Sequence, residues 1–452
     1  MKENTKIRFD KVLKNAAVIL GKNNVQRDKS VVVRDIYGRI FVLLDFNEDD
    51  KAKQSDILQK LEEDLRSLGP YSSDPCSVLC KCDLVGLHSF NFQDPDILEL
   101  RQEDGVSIRL LERQVVGQDW LRPKIEPRNN PIPRLAFYGF KGGVGRSTTV
   151  AVTALLLARS GKKVLVFDFD LESPGLSSML LPSDSYPQFG CIDWLVEYTV
   201  DNVDDFLLRN VVTLSPLATN LDGDIRVVPA MGAKTDDPRI DPNYISKLSR
   251  IYADKPGDKG GIERFSDRLE RFVDTIVERE QPDVVLIDCR AGLHDLSAGS
   301  IVRIADEAFL FIVDTPQNWE GYYMLFSHWK QCPELLAKIR DKLNIVHAMI
   351  PVANQTERKT EFLESSHLLF TDTVYEQSDP TISDSDEEES YNFDRDAQES
   401  PHYPIDISWN SGLSEFDFHS FTNDPIQDIV ERTYIQVFQK VQQIIQGYAN
   451  ER

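Results

Sequence analysis

Three short stretches of this chain carry residue types that, brought together, can hold and cleave a phosphoanhydride. Phe140–Thr149 reads FKGGVGRSTT. A triphosphate packs several negative charges into a small group, and backbone N–H donors can cradle it if no side chains stand in front of them. Gly142, Gly143 and Gly145, with Val144 between them, supply such an open backbone, and glycine tolerates the positive φ angles that the nest requires. Ser147 places a hydroxyl where loops of this kind hold Mg2+. Against the usual pattern G-x-x-x-x-G-K-S/T, Phe140 stands at the first glycine position and Arg146 at the lysine position. Arginine is a planar, permanently charged fork where lysine is a compact point charge. Arg146 can therefore bind phosphate, but its bulk can shift the γ-phosphate and slow a step that depends on positioning and charge stabilisation.

The second stretch, Val164–Leu176 (VLVFDFDLESPGL), brings Asp168 and Asp170 to the end of an apolar strand. The third, Asp283–Gly292 (DVVLIDCRAG), runs through four consecutive apolar residues to Asp288, as expected of a strand buried on both faces. A carboxylate there can hold a Mg2+-bound water, and Ala291-Gly292 gives a flexible turn. One strand-end aspartate alone is weak evidence; three motifs in this order are strong. Glu172 could pair with Arg146 or Lys141. Arg290 could sense a γ-phosphate or make a surface ion pair, and His294 reads as a helix-start residue.

These groups need elements to position them. Residues 134–139 are a short apolar run led in by Pro131 and Pro133, and 146–160 read as a helix stopped by Gly161, so the order strand, loop, helix predicts a phosphate-loop context. Strand-like and helix-like segments then alternate over 163–168, 225–229, 264–280, 283–288, 308–313, 319–332 and 345–350. That alternation predicts an α/β fold, a mostly parallel sheet with helices on both faces, whose ligands bind at the C-terminal strand ends. Polar insertions are expected at 235–261 and 371–400, the second holding the acidic run SDSDEEES, read as a solvated loop or as a charged surface for a basic partner. A turn is expected at Pro404-Ile405-Asp406. Residues 425–448 predict an amphipathic helix with few basic residues, better suited to packing on the domain than to anionic lipid. Residues 1–122 predict a small α+β regulatory or partner-binding domain, with a hairpin around Tyr37-Gly38 and a helix through Ile57–Leu68. Residues 123–133 form a proline-rich linker, and 134–452 the larger domain.

Composition narrows the function classes. The net charge of −23 opposes non-specific DNA binding, which works by neutralising phosphates. No stretch approaches the roughly 18 apolar residues of a membrane-spanning helix. The start, MKENTKIRFDK, lacks the apolar core of a signal peptide, and six scattered cysteines fit a reducing, cytoplasmic setting. Cys76, Cys80 and Cys82 have no second His or Cys pair nearby and read as loop or core thiols rather than a zinc site.

The motifs KGGVGRST (Lys141–Thr148), DFDLESPGL (Asp168–Leu176) and VVLIDCRAGL (Val284–Leu293) together resemble those of the ParA/MinD-like, deviant Walker A branch of the P-loop ATPases (SIMIBI class). The likeness covers roughly 134–354 and a C-terminal helix. Within that branch it is similar to a bacterial subgroup with a KGGVGR loop, whose members often sit in signalling or conflict gene neighbourhoods. The resemblance implies an ATP- and Mg2+-dependent switch that dimerises across bound nucleotide, hydrolyses ATP slowly and signals to a protein partner, in a bacterial defence or stress system. It implies that Lys141 reaches the partner subunit's phosphates, that Arg146 contacts the β- and γ-phosphates, that Ser147 ligates Mg2+, and that Thr148 contacts the α-phosphate. Asp170 would orient the attacking water, with Asp168 and Asp288 supporting the metal through water. Asn354 stands where the family reads adenine, and also where ordinary turn chemistry places Asn. The alternatives are a nucleotide-binding scaffold or sensor without significant hydrolysis, which Arg146 favours, and a DNA-partitioning ATPase.

Overall fold

The computed structural model describes residues 6–73, 75–84, 90–94, 96–101, 107–123, 132–233, 241–256, 262–376, 390–413, 418 and 426–450. Most of the expected linker and all but the last serine of the acidic run lie outside them. Two compact units emerge, one of residues 1–122 with 328–337, the other of 123–327 with 338–452.

In the first unit the order is α1 (Phe9–Lys22), β1 (Ser30–Arg34), β2 (Ile40–Leu44), α2 (Glu48–Lys53), α3 (Ser55–Arg66), β3 (Val78–Cys80), β4 (Ile97–Arg101) and β5 (Ser107–Glu112). The strands form one mixed sheet in the order β3-β2-β1-β5-β4. The β1–β2 hairpin turns where expected, because Gly38 adopts φ +82° and the Asp35 carboxylate accepts the backbone N–H groups of Tyr37 and Arg39, both at 2.9 Å. Leu61 and Leu65, four apart on α3, are fully buried.

From residue 134 the chain runs β6 (Arg134–Gly139), α4 (Arg146–Arg159), β7 (Lys163–Phe169), α5 (Leu176–Leu180), α6 (Cys191–Thr199), α7 (Asp205–Arg209), β8 (Thr213–Leu214), β9 (Asp224–Val228), α8 (Tyr244–Ile251), β10 (Lys255–Pro256), β11 (Ile262–Glu263), α9 (Phe265–Glu280), β12 (Val284–Cys289), α10 (Asp295–Ala298), β13 (Glu307–Ile312), α11 (Pro316–Lys330), α12 (Pro333–Ile339), β14 (Leu343–Ile350), α13 (Gln355–Thr373), β15 (Ile405–Ser408) and α14 (Ile426–Asn450), all in the second unit except the end of α11 and most of α12, which belong to the first. The main sheet of the second unit has the order β15-β14-β13-β6-β12-β7-β9-β8. Every pairing is parallel except β8 with β9.

Side-chain alternation along β7 shows how both faces are covered. Val164 and Val166 join the cluster under α4, while Phe167 packs edge-on against Phe272 of α9, which stacks on Trp194 of α6. The C-terminal helix α14 lays Val430, Val437 and Val441 into the same cluster as α4, and Arg159 pairs with Glu431 at 2.6 Å. No helix among the described residues is long and apolar enough to cross a membrane.

One local reading changes. The segment expected to turn at Pro404–Asp406 is instead the start of an edge strand, since β15 pairs with β14 through Val346–Ile405 and His347–Asp406. Pro404 sits just outside the ladder, where its missing N–H costs nothing. Within the segment expected as a polar insertion at 235–261, α8 buries Ile251 completely.

Candidate functional site

The sheet order explains why three distant motifs converge. β12 lies between β6 and β7, and its register sets Asp288 beside Asp168 on β7 and beside Phe137 on β6. The loop leaving β6 and the turns leaving β7 and β12 therefore open at one edge of the sheet, the C-terminal edge where parallel α/β sheets bind ligands.

Gly143 and Gly145 adopt φ +75° and +83°, and Gly145 is the N-cap of α4. A Cβ built on Gly142, Gly143 or Gly145 would meet nothing within 4 Å. The loop thus faces open space with its backbone, at the positive end of a 14-residue helix, which is the arrangement that suits a phosphate. Val144 is buried, and Lys141, Ser147 and Thr148 are half-exposed.

Phe140 solves a packing problem. Its ring lies 6.3 Å from that of Tyr322, and a Cβ on Gly321 of α11 would come within 2.3 Å of it. The aromatic residue at the loop's first glycine position is therefore matched by a glycine on the facing helix. Gly321→Ala should push Phe140 out of place, lower stability by about 1–3 kcal/mol and weaken nucleotide binding; urea denaturation and ATP titration would show both.

Arg146 is buried, at 7% exposure, and its guanidinium is gripped by two carboxylates. Nε donates to Asp288 Oδ1, and Nη2 donates to Asp170 Oδ2 at 3.0 Å. The Ser147 hydroxyl lies near enough to Asp288 to favour its charged form. Burial raises the pKa of Asp288, and the Arg146 charge, the nearby Ser147 hydroxyl and the Arg146 hydrogen bond oppose that rise. The second oxygens, Asp288 Oδ2 and Asp170 Oδ1, are buried with no hydrogen-bond partner among the described residues. Unmatched buried acceptors are costly, and together with the Ser147 hydroxyl they form an all-oxygen donor set of the kind that suits Mg2+ and its waters. The residues present therefore fit a triphosphate with its cation.

Asp168 stands differently. Its Oδ2 accepts both the Ser177 N–H, at 3.0 Å, and the Ser177 hydroxyl, at 2.7 Å, and its Oδ1 accepts the Asp170 N–H at 3.3 Å. It anchors the turn that carries Asp170. Complete burial, then the neighbouring Asp288 charge, push its pKa up to about 7. A carboxyl that holds its proton more tightly folded than unfolded makes the fold more stable at low pH, and that contribution is lost as pH rises from the unfolded value near 3.8 to about 7. Asp168→Asn should abolish this, so its melting temperature in EDTA should gain on wild type between pH 5 and pH 7.5; a constant difference would place the titration elsewhere.

Glu172 does not pair with Arg146 or Lys141. It pairs with Arg290 at 2.6 Å, and His294 lies 3.4 Å away. Arg146 is instead taken by the nearer aspartates. His294 starts α10, its Nδ1 accepting the Leu296 N–H at 3.3 Å. Asn354 is exposed at φ +55°, capping α13 at the end of β14, two strands from β6. The sequence reading missed Gly321, Ser177, Tyr244 and Tyr252. Of these only Ser177, close behind Pro174-Gly175 at a helix start, carried any local signal.

Residues 135–362 match the family model of the CobQ/CobB/MinD/ParA nucleotide binding domain. The antiactivator FleN of Pseudomonas aeruginosa is 28% identical over 198 residues, covering 44% of this chain and 56% of FleN. The chloroplastic septum site-determining protein minD homologue of Arabidopsis thaliana is 27% identical over 178 residues, 39% of this chain and 43% of that protein. The chain thus spans about half the length of the curated relatives it matches. Among solved structures, pNOB8 ParA bound to nonspecific DNA aligns with a TM-score of 0.42 and 17% identity over 71% of this chain and 99% of its own. A ParA family ATPase from Chlorobium tepidum aligns at 0.41 and 15%, over 70% and 99%.

Proposed function

The chain belongs to the CobQ/CobB/MinD/ParA nucleotide-binding domain family, and from that premise we propose that it is an ATP- and Mg2+-dependent molecular switch with slow ATP hydrolysis. The observation that carries this reading is the Arg146 clamp. A buried guanidinium held by Asp170 and Asp288, facing an open glycine loop, is a cation kept ready for a triphosphate and masked until one arrives.

In this reading the N–H groups of residues 142–148 cradle the phosphates, and Arg146 exchanges one or both carboxylates for β- and γ-phosphate oxygens. Ser147 and Asp288 hold Mg2+, Asp288 through water, and Asp168 fixes the Asp170 turn. When bound, Mg2+ neutralises charge that develops on the phosphate oxygens. Released from Arg146, Asp170 orients water for in-line attack on the γ-phosphorus, breaking its bond to the bridging oxygen so that ADP leaves. Because Asp170 is available only when Arg146 has moved, turnover is slow. In the same reading Lys141, half-exposed, reaches the nucleotide of a second copy, and Asn354 meets the base. The 1–122 domain relays the state to a protein partner, in a bacterial defence or stress system. The net charge of −23 disfavours DNA as that partner.

Light scattering with and without ATP–Mg2+ tests this reading. Wild type should roughly double in mass with ATP, and Lys141→Ala should bind ATP yet stay monomeric and lose turnover. A second reading, a sensor that binds nucleotide without hydrolysis, is favoured by the same double ion pair; it predicts ATP binding with turnover no faster than in Asp170→Ala.

A further inference from the structure

Two residues beyond Asp170, the side chain of Glu172 gathers groups from two other segments. Its Oε1 receives Arg290 Nη1 at 2.6 Å and the Tyr252 hydroxyl at 2.6 Å, with His294 Nε2 at 3.4 Å. The geometry fixes the tautomer of His294. Its Nδ1 accepts the Leu296 N–H, so the neutral ring carries its proton on Nε2, the nitrogen facing Glu172. Burial lowers the pKa of His294, which favours that neutral form. The Tyr252 ring packs edge-on to His294 at 5.0 Å. Tyr244, on α8, donates to the carbonyl of Leu171, and Ser297 donates to the carbonyl of Arg290 at 2.6 Å, pinning the base of that turn.

Three segments meet at this one carboxylate: the turn after β7 that carries Asp170, the turn after β12 that carries Arg290, and the insertion that follows β9. A surface ion pair between two turns contributes little. This one is different in kind, because Glu172 is 18% exposed and its Oε2 is buried with no hydrogen-bond partner among the described residues. Moving any of the three segments away leaves a partly buried charge without its donors, and that couples them.

We propose that Glu172 is a positioning residue that makes the Asp170 turn, the Arg290 turn and the Tyr244–Tyr252 segment move as one unit when nucleotide binds. It acts through Arg290: the cation two residues beyond Asp288 is held at the orientation in which it meets the triphosphate, while Tyr252 carries that orientation into the insertion. The proposal rests on the switch reading above for what the site binds. The tie itself is independent of that reading.

The test uses the full chain with Glu172→Gln, which keeps the shape but removes the charge that holds Arg290, together with Tyr252→Phe, Arg290→Ala and the Glu172→Gln/Arg290→Ala double variant. Glu172→Gln should leave KM for ATP within about threefold of wild type and lower kcat about tenfold or more. The double variant should be no slower than Arg290→Ala alone, because residues acting as a unit are non-additive. Tyr252→Phe should give a smaller loss in the same direction. Hydrogen exchange supplies a readout that needs no turnover: in Glu172→Gln, residues 290–298 should exchange faster, and ATP–Mg2+ should protect 168–173 without protecting 290–298. A plain fold staple would lower stability, binding and turnover together and give multiplicative losses in the double variant, and that result overturns the proposal. So does unchanged exchange of 290–298. If wild type binds no ATP, the switch reading fails, while the ligand-free exchange of 290–298 still decides for or against the tie.

Discussion

Arg146→Ala should be the most damaging single change in the nucleotide site. It leaves Asp288, which is fully buried, and Asp170, 13% exposed, facing each other without their shared cation. Removing one partner of a buried ion pair typically costs about 3–5 kcal/mol, a large part of the roughly 5–15 kcal/mol that holds a domain together. The midpoint of urea unfolding should therefore fall sharply in the nucleotide-free protein. ATP binding, measured by calorimetry, should weaken at least tenfold, because the guanidinium is the buried cation nearest the loop. Arg146→Lys separates the two roles. A lysine can satisfy one carboxylate but lacks the planar fork that reaches both, so stability should fall between wild type and Arg146→Ala. With Asp170 no longer held, turnover should rise above wild type. Turnover equal to or below wild type would mean that the double ion pair does not slow the enzyme.

Much of this site could be read from residue order, and the reasons are physical. Gly142 to Ser147 work through the backbone and one local hydroxyl, so a contiguous string specifies them. Asp168, Asp170 and Asp288 end apolar strands, and burial on both faces makes such strands conspicuous. The Arg146 pairing needed more: it follows from β12 lying between β6 and β7, a topology that parallel order allows but does not dictate. Glu172 was legible as an acid near the site, not as the partner of Tyr252, which lies 80 residues further along. Tyr252 follows a short helix in a polar insertion whose composition looks like loop, and only its inward-facing Tyr244 and Ile251 mark it as packed. Gly321 escaped notice because a glycine inside a helix signals weakness by propensity alone; its value appears only when Phe140 lies against it. β15 was hidden by Pro404, since proline at a strand's entrance and proline in a turn look alike in sequence.

Asp170→Ala should separate binding from chemistry. The carboxylate holds Arg146 through Nη2 at 3.0 Å, and its second oxygen is buried with no hydrogen-bond partner among the described residues. Removing it takes a negative charge away from where a triphosphate sits and frees one arm of the guanidinium. Affinity for ATP should therefore hold or improve, by a few-fold at the partly screened charge separations of such a site. Loss of a group that orients and deprotonates water commonly costs about 10²–10⁴ in rate, so kcat should drop by at least a hundredfold while KM stays level or falls. Asp170→Asn refines the result. An amide can still orient water through its oxygen but accepts no proton, so it should recover part of the rate if orientation dominates and none if proton transfer does. Stability supplies the internal control. Asp288 still holds Arg146 in both variants, so the urea midpoint should move far less than in Arg146→Ala. A fall in affinity that matched the fall in kcat would instead place Asp170 in nucleotide binding and leave the water without its base.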